Sequence, residues 1–408
     1  MNKILQLISQ NPAVELLRKG KGRLITSDIL DEAYLLASAY QREPRPYVIV
    51  KSNLYEASQL YQALSGLVEE GACLYFPMDE SMRMEVLATS PEMQAERIQS
   101  YQALTTRENY LLITHTHALL RHIPSSKTFT EFRLNIRVGD TVEMSDLKRQ
   151  LIQMGYQYIV KVDEPFYFSY RGGIIDVYSV NYEQPIRIEF FDNEIDSIRL
   201  FDTASQRTSE TLDEVTILPA TDLLYQDADV APAIQEITEV YNRCFQKLDP
   251  DRQDELDDRY HLDMENLRNH DTSSPMAKYY RYFGRSSSIL DYCPEATILL
   301  SSESGVKENH RMLAEEAFSY QLEMFEEGRM LLGLEIYEDL ETLLAKHNKR
   351  LISVENFKTK SSDVVFEARA IDPFIGKEEL MLKRLRDFTS IEKVLMILPS
   401  ESLIRNMT

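Results

Sequence analysis

The sequence predicts an α/β protein in which a doubly wound parallel sheet is interrupted by a small antiparallel α+β insert and followed by a partial further α/β domain. Three observations carry this expectation. Short β-rich runs alternate with amphipathic helical patterns over the first 125 residues. From about residue 127 the spacing tightens to strands joined directly by turn residues. Strand and helix then alternate again near residue 287, as a sheet resumed after an insertion would require.

In chain order the first runs are RLIT (Arg23 to Thr26), YVIV (Tyr47 to Val50), ACLYF (Ala72 to Phe76) and YLLIT (Tyr110 to Thr114). Between the first three lie SDILDEAYLLASAYQ and YEASQLYQALSGLVEE, whose apolar positions repeat with helical spacing. This order implies parallel βα units, assigned to a first segment at 1–126. The insert, 127–217, holds EFRLNIRV, an aromatic run from Phe166, GIIDVYSV, PIRIEFF and EIDSIRLF. Residues 218–305 return to the first domain: ILPATDLL, acidic helical sequence such as QKLDPDRQDELDDRYHLDMENL, and a buried strand within SSILDYCPEATILLSS. A helical connector is expected over 306–348 and a truncated α/β domain over 349–408. That last part has strands in KRLISVENF and SSDVVFEARA, a helix in KEELMLKRLRDFTSI, a strand VLMILP and a first helical turn in ESLIRNMT. A unit that stops in its opening helix cannot bury that helix's apolar face, so a piece of a longer protein is expected.

Composition excludes several classes. Of 408 residues, 45 are Lys or Arg and 66 Asp or Glu, a net charge of -21. Binding along a phosphate backbone depends on clustered cations that release counterions, so this balance disfavours extensive direct contact with nucleic acid. No apolar stretch nears the roughly 18 residues that span a bilayer, and the start MNKILQLISQNPAVELL carries Glu15 and no small-residue cleavage site. A cytoplasmic protein without a membrane partner is expected. Cys73, Cys244 and Cys293 are odd in number and far apart, which suggests reduced thiols and neither a disulfide framework nor a zinc site.

A nucleotide fold places its phosphate loop between first strand and first helix. Here that junction reads RLITSDILDEAY, without Gly or a Lys-Ser/Thr pair. Ser27 or Asp28 suits a helix N-cap, while Asp28, Asp31 and Glu32 would repel a triphosphate. RKGKGR (Arg18 to Arg23) precedes the strand and is misplaced for the role. LYFPMDE (Leu74 to Glu80) places an acidic pair at a strand end with no phosphate loop to serve, and fits a solvated loop. His115, His117 and His122 in THTHALLRH invite a metal, yet no Cys or carboxylate nearby in sequence completes a tetrahedral set. No GxSxG elbow or HExxH helix occurs. The expectation is no catalysis, no metal and no cofactor in this chain.

The segment FYFSYRGGIIDVY remains. Gly172 and Gly173 supply a turn or bulge between two strands, but packing gives no reason for Arg171. In PIRIEFFDNEIDSIRLF, pleat alternation puts Ile186, Ile188 and Phe190 on one face and Arg187, Glu189 and Phe191 on the other. Arg187 and Phe191 together have the composition of an interface hot spot. Equally, Arg187 could pair with a cross-strand carboxylate and Phe191 could pack under the Asp192-Asn193 turn. Both readings stand on these residues alone.

RGGIIDVYSVNYEQPIRIEFFDNEIDSIRLFDTASQRT resembles the segment shared by bacterial transcription-repair coupling factors and the excision-repair helicase UvrB. SPEMQAERIQSYQAL with YLLITHTHALL, then ILPATDLL and SSILDYCPEATILL, fit the same order, so the resemblance covers most of residues 1–305. The coupling factor is the better match, because a helicase member would retain the phosphate loop. The resemblance implies a degenerate helicase-like (P-loop-type) domain whose insert recruits the damage-recognition ATPase UvrA, and contact residues at Arg171, Arg187 and Phe191. It further implies that RNA polymerase, DNA, and ATP with magnesium are handled by domains beyond this chain. Alternatives are a UvrB-like ATP-dependent helicase piece and an autoinhibitory structural module. Ser179 and Val180 replace a Pro frequent among relatives, so the loop leading to Pro185 is expected to differ in shape.

Overall fold

The structure is a computed structural model that describes residues 2–80, 90–361, 363–366 and 378–389. Four strands open the fold: β1 (Gly22–Ile25), β2 (Tyr47–Lys51), β3 (Cys73–Phe76) and β4 (Leu111–His115). The middle of the chain adds β5 (Ile123–Pro124), β6 (Leu134–Arg137), β7 (Gln157–Tyr158), β8 (Tyr167–Arg171), β9 (Ile174–Val177), β10 (Ile186–Phe191), β11 (Glu194–Phe201), β12 (Thr208–Leu212) and β13 (Glu214–Ile217). The remainder are β14 (Ser286–Ser287), β15 (Thr297–Ser301), β16 (Leu351–Glu355) and β17 (Val364–Val365).

Seven strands form one sheet in the order β17-β1-β16-β15-β2-β4-β3, parallel throughout. Buried on both faces, β2, β4 and β15 are apolar along most of their lengths rather than alternating. Helices Pro12–Lys19, Ile29–Arg42 and Leu54–Ser65 pack on one face through Leu17, Leu35, Leu36 and Leu60. Helix Pro91–Thr106 packs on the other through Ile98 and Tyr101.

The strand expected to open a further domain at 349 instead lies between β1 and β15 in this sheet. Ile352 and Val354, 0% and 2% exposed, are core residues there. The run is apolar enough for any interior strand, and its sequence does not say which sheet completes its hydrogen bonds. A second compact unit, 367–408, contains helix Glu378–Thr389, while VLMILP and ESLIRNMT lie outside the described residues. The acidic helical stretch builds an apolar cluster of its own, in which Ile237, Leu256 and Met264 meet Tyr279, Met324 and Phe325. The three cysteines are free and buried. Among the described residues no helix is long and apolar enough to cross a membrane.

The insert's sheet runs β12-β11-β10-β9-β8-β7, antiparallel except between β7 and β8, with β13 and β6 as a separate ribbon. Ile175, Ile188 and Ile198 point inward with Leu147 and Leu151 of helix Met144–Gln153. This interior is continuous with the parallel sheet's Tyr101 face, so insert and sheet share one apolar core. Arg97, 3% exposed, fastens helix Pro91–Thr106 to the segment that follows the insert: Nε and Nη2 reach Asp222 at 2.8 and 2.6 Å, and Nη1 donates to the Pro77 carbonyl. At the loop where Ser179 and Val180 stand in place of the relatives' proline, the buried Ser179 Oγ accepts from the Leu218 amide at 3.0 Å, a bond that ties the loop to the residue after β13.

β8 and β9 join through Gly172-Gly173, Arg171 pairing with Ile174. Gly172 has φ +58°, the left-handed region where glycine avoids the side-chain penalty. Gly173 is demanded by proximity: a Cβ there would lie 2.9 Å from the Phe190 carbonyl oxygen. Gly173→Ala should therefore destabilise the chain by about 1–3 kcal/mol, read from urea unfolding midpoints. An unchanged midpoint would show that β10 yields at no cost.

Candidate functional site

The strand register decides which side chains share the insert's outer face. Arg171 lies opposite Ile174, which lies opposite Glu189; one row inward, Ser169, Asp176, Arg187 and Arg199 follow one another across four strands. Phe191 and Glu194 close the same face at the β10–β11 turn. These residues alternate with the inward-facing Ile175, Ile188 and Ile198. Arg171, Arg187 and Phe191 thus share one face, with Arg171 and Phe191 at the same end of the sheet. An irregularity where Glu189 and Phe190 pair with β11 leaves the alternation along β10 intact.

The two readings left open for β10 divide between its residues. Arg187 is paired: Nε and Nη2 reach the Asp176 carboxylate at 2.7 and 2.8 Å, and Nη2 also donates to Gln206 Oε1 at 3.2 Å. Its guanidinium lies 4.3 Å from the ring centre of the buried Phe201. Directly opposite, Arg199 is neutralised by Glu189 at 3.0 Å, which also accepts from Ser197 Oγ. Two arginines can face each other because each has its own carboxylate. Phe191, in contrast, is not tucked under its turn but 73% exposed. Phe190 is the partner ring that packs on the core. Arg171 is exposed and has no ion-pair partner among the described residues.

At the β1–helix junction, where a phosphate loop would lie, backbone amides are already occupied. Asp28 caps the helix by accepting from the Asp31 amide at 2.9 Å, and Asp31 accepts from the Ser27 amide at 3.0 Å. Behind them, at the strands' carboxyl ends, Lys51 Nζ contacts Glu32 at 3.0 Å and Ser301 Oγ at 2.5 Å, while Ser301 donates to Glu32 at 2.9 Å. All three are at most 4% exposed. Doubly wound sheets usually bind phosphates at this edge; here the lysine's charge is spent on a buried carboxylate of the same chain.

The histidines meet a partner that sequence proximity did not suggest. Because β3 and β4 are parallel neighbours, Glu80 comes beside His115 and His117, with donor atoms within 4.8 Å of one another. The absence of a nearby carboxylate is therefore corrected. His115 Nε2 accepts from the Met78 amide at 3.1 Å, which leaves the neutral ring's proton on Nδ1, 3.5 Å from Glu80. Ligation through Nδ1 would need that proton on Nε2, against the Met78 N–H. Glu80 also accepts from the Leu54 amide at 2.9 Å, and the His115 contact holds its carboxyl below the usual range. Burial pushes His117 down to about 4. His122 lies apart, 3.3 Å from Glu338, also pushed down to about 4 by burial. The hydrogen bonds of Glu80 and His115 tie strand ends to a helix start.

Sequence reasoning missed Asp176, Gln206 and Phe201, the supports of Arg187. Asp176 was foreseeable once β9 and β10 were paired, since burying Ile186 and Ile188 against Val177 and Ile175 sets Asp176 opposite Arg187; Gln206 arrives from a turn with no periodicity to place it. Removing Lys51 should leave Glu32 buried without its counter-charge. Lys51→Met is expected to cost about 3–5 kcal/mol in urea unfolding, and Lys51→Met with Glu32→Leu to recover most of that loss. Equal destabilisation by both would show that packing, not charge pairing, sets the cost.

Comparison with known proteins gives a family match and three relatives that agree. Residues 134–223 match the UvrB interaction domain. The transcription-repair-coupling factor of Bacillus subtilis (strain 168) is 32% identical over 353 residues, 84% of this chain and 30% of that protein. Those of Staphylococcus haemolyticus (strain JCSC1435) and Staphylococcus aureus (strain bovine RF122 / ET3-1) are 24% and 26% identical over 86% and 87% of this chain. The chain spans about a third of the length of these curated relatives.

Proposed function

We propose that this chain, a member of the transcription-repair-coupling factor family by a similarity covering most of its length, is a non-catalytic adaptor that docks UvrA on the outer face of the insert. Through that contact it brings excision repair to RNA polymerase stalled at DNA damage. The observation that carries the reading is Phe191: 73% exposed, on the same face and at the same end of the sheet as Arg171, which has no ion-pair partner among the described residues, and at the end of a strand whose Ile186 and Ile188 are wholly buried. An exposed ring is costly to leave in water, and a ring and an available guanidinium on one face are well suited to a desolvated protein contact. The match of residues 134–223 to the UvrB interaction domain supports the same location.

The occupied junction at Thr26 to Asp28 and the spent Lys51 support a chain that does not use ATP. In this reading the parts of the family's proteins beyond the matched span bind RNA polymerase and DNA and use ATP with magnesium, and the whole acts in the cytoplasm.

The test is titration of purified UvrA into this chain and into Arg171→Ala and Phe191→Ala, each first shown to unfold at the parent's urea midpoint. The parent should bind and each variant lose about 2 kcal/mol or more. No binding by the folded parent, or a thermal stabilisation by magnesium and ATP that replaces it, would overturn the adaptor reading in favour of a structural or nucleotide-using module.

A further inference from the structure

The two arginines of the docking face are not in equivalent states. A guanidinium carries five N–H donors. On Arg187, Nε–H and one Nη2–H are held by Asp176, and the other Nη2–H faces Gln206. Two donors remain, both on Nη1, and the charge is balanced by the carboxylate beside it. The ring of Phe201 beneath fixes the plane. Arg171, exposed and without an ion-pair partner among the described residues, keeps its whole fork and its net charge.

We infer that Asp176 is a positioning residue that locks Arg187 with only its Nη1 edge outward, so that the partner meets Arg187 with a single neutral acceptor and places its acidic group opposite Arg171. The inference rests on the docking reading. A second carboxylate brought to Arg187 would approach Asp176 as well, and like charges at that range repel. A backbone carbonyl or side-chain amide has no such penalty. At Arg171 a carboxylate can be gripped by two parallel N–H donors, the geometry for which arginine is suited. The partner surface that fits is therefore a pocket for Phe191 flanked by one acidic side chain and one neutral acceptor. Long-range attraction to UvrA enters through Arg171, while Arg187 contributes orientation.

The experiment measures the affinity of UvrA for the parent, Arg171→Gln, Arg187→Gln, Asp176→Asn and Asp176→Glu at several salt concentrations. In parallel, the Arg187 Nε–H signal is followed by NMR in the free chain. Arg171→Gln should weaken binding about tenfold or more at low salt and flatten its salt dependence. Arg187→Gln should weaken binding and leave the salt dependence as in the parent. Asp176→Asn, which removes no partner contact, should weaken binding about three- to tenfold, the penalty for immobilising one side chain on docking. It should also steepen the salt dependence and abolish the slowly exchanging Nε–H signal, with Asp176→Glu restoring both in part. Parent-like affinity in Asp176→Asn, a persistent Nε–H signal, or flattening by Arg187→Gln equal to that by Arg171→Gln would overturn the inference. If the parent fails to bind while the free-chain signal behaves as described, the docking reading fails and the locking of Arg187 stands apart from it.

Discussion

The arrangement of the insert depends on the pleat of one strand pair. β9 and β10 pair so that Ile175 faces Ile188, and both are 0% exposed within a core shared with the parallel sheet. Burial of such side chains is worth roughly 1.5–3 kcal/mol each, and a slip by one residue would turn them all outward. With the register fixed, everything between them is fixed on the opposite side. Asp176 must face Arg187, Arg171 must stand at the hairpin end, and Phe191 must emerge where the strand leaves the core. The insert's outer face is the obligatory reverse of the apolar one, and its geometry is set by the core behind it.

The parallel sheet shows a related economy. Its carboxyl edge has the topology of a nucleotide site, but the groups that would meet phosphates are turned on one another: Asp28 and Asp31 on the helix amides, Lys51 on Glu32 and Ser301. A lysine buried with a carboxylate is neutral to the outside. The sheet serves instead as the wall against which the insert's core closes, and Arg97 and Asp222 tie its helix to the segment that leaves the insert.

Much of this was legible in the sequence because local rules agreed with the global fold. The first four strands, the helices between them, the Asp28 cap and the alternation in IRIEFF all follow from periodicity and capping chemistry. What was not legible required knowing which distant strands are neighbours. The strand at 351 joins the sheet between β1 and β15, a choice made by partners more than 50 residues away along the chain. Glu80 and His115 meet because β3 and β4 are adjacent, though 35 residues separate them. On the insert's outer face the composition of the pair Arg187 and Phe191 was visible, but not that Arg187 is held by Asp176 while Phe191 is exposed.

The most direct test of the central claim is backbone hydrogen exchange of this chain, followed by mass spectrometry with and without purified UvrA. The account predicts slowed exchange confined to the hairpin around Arg171 and the strands β10 and β11 near Phe191, with the carboxyl edge of the parallel sheet unchanged. Protection centred on the Thr26 to Asp28 junction, or none in the insert at saturating UvrA, would contradict it.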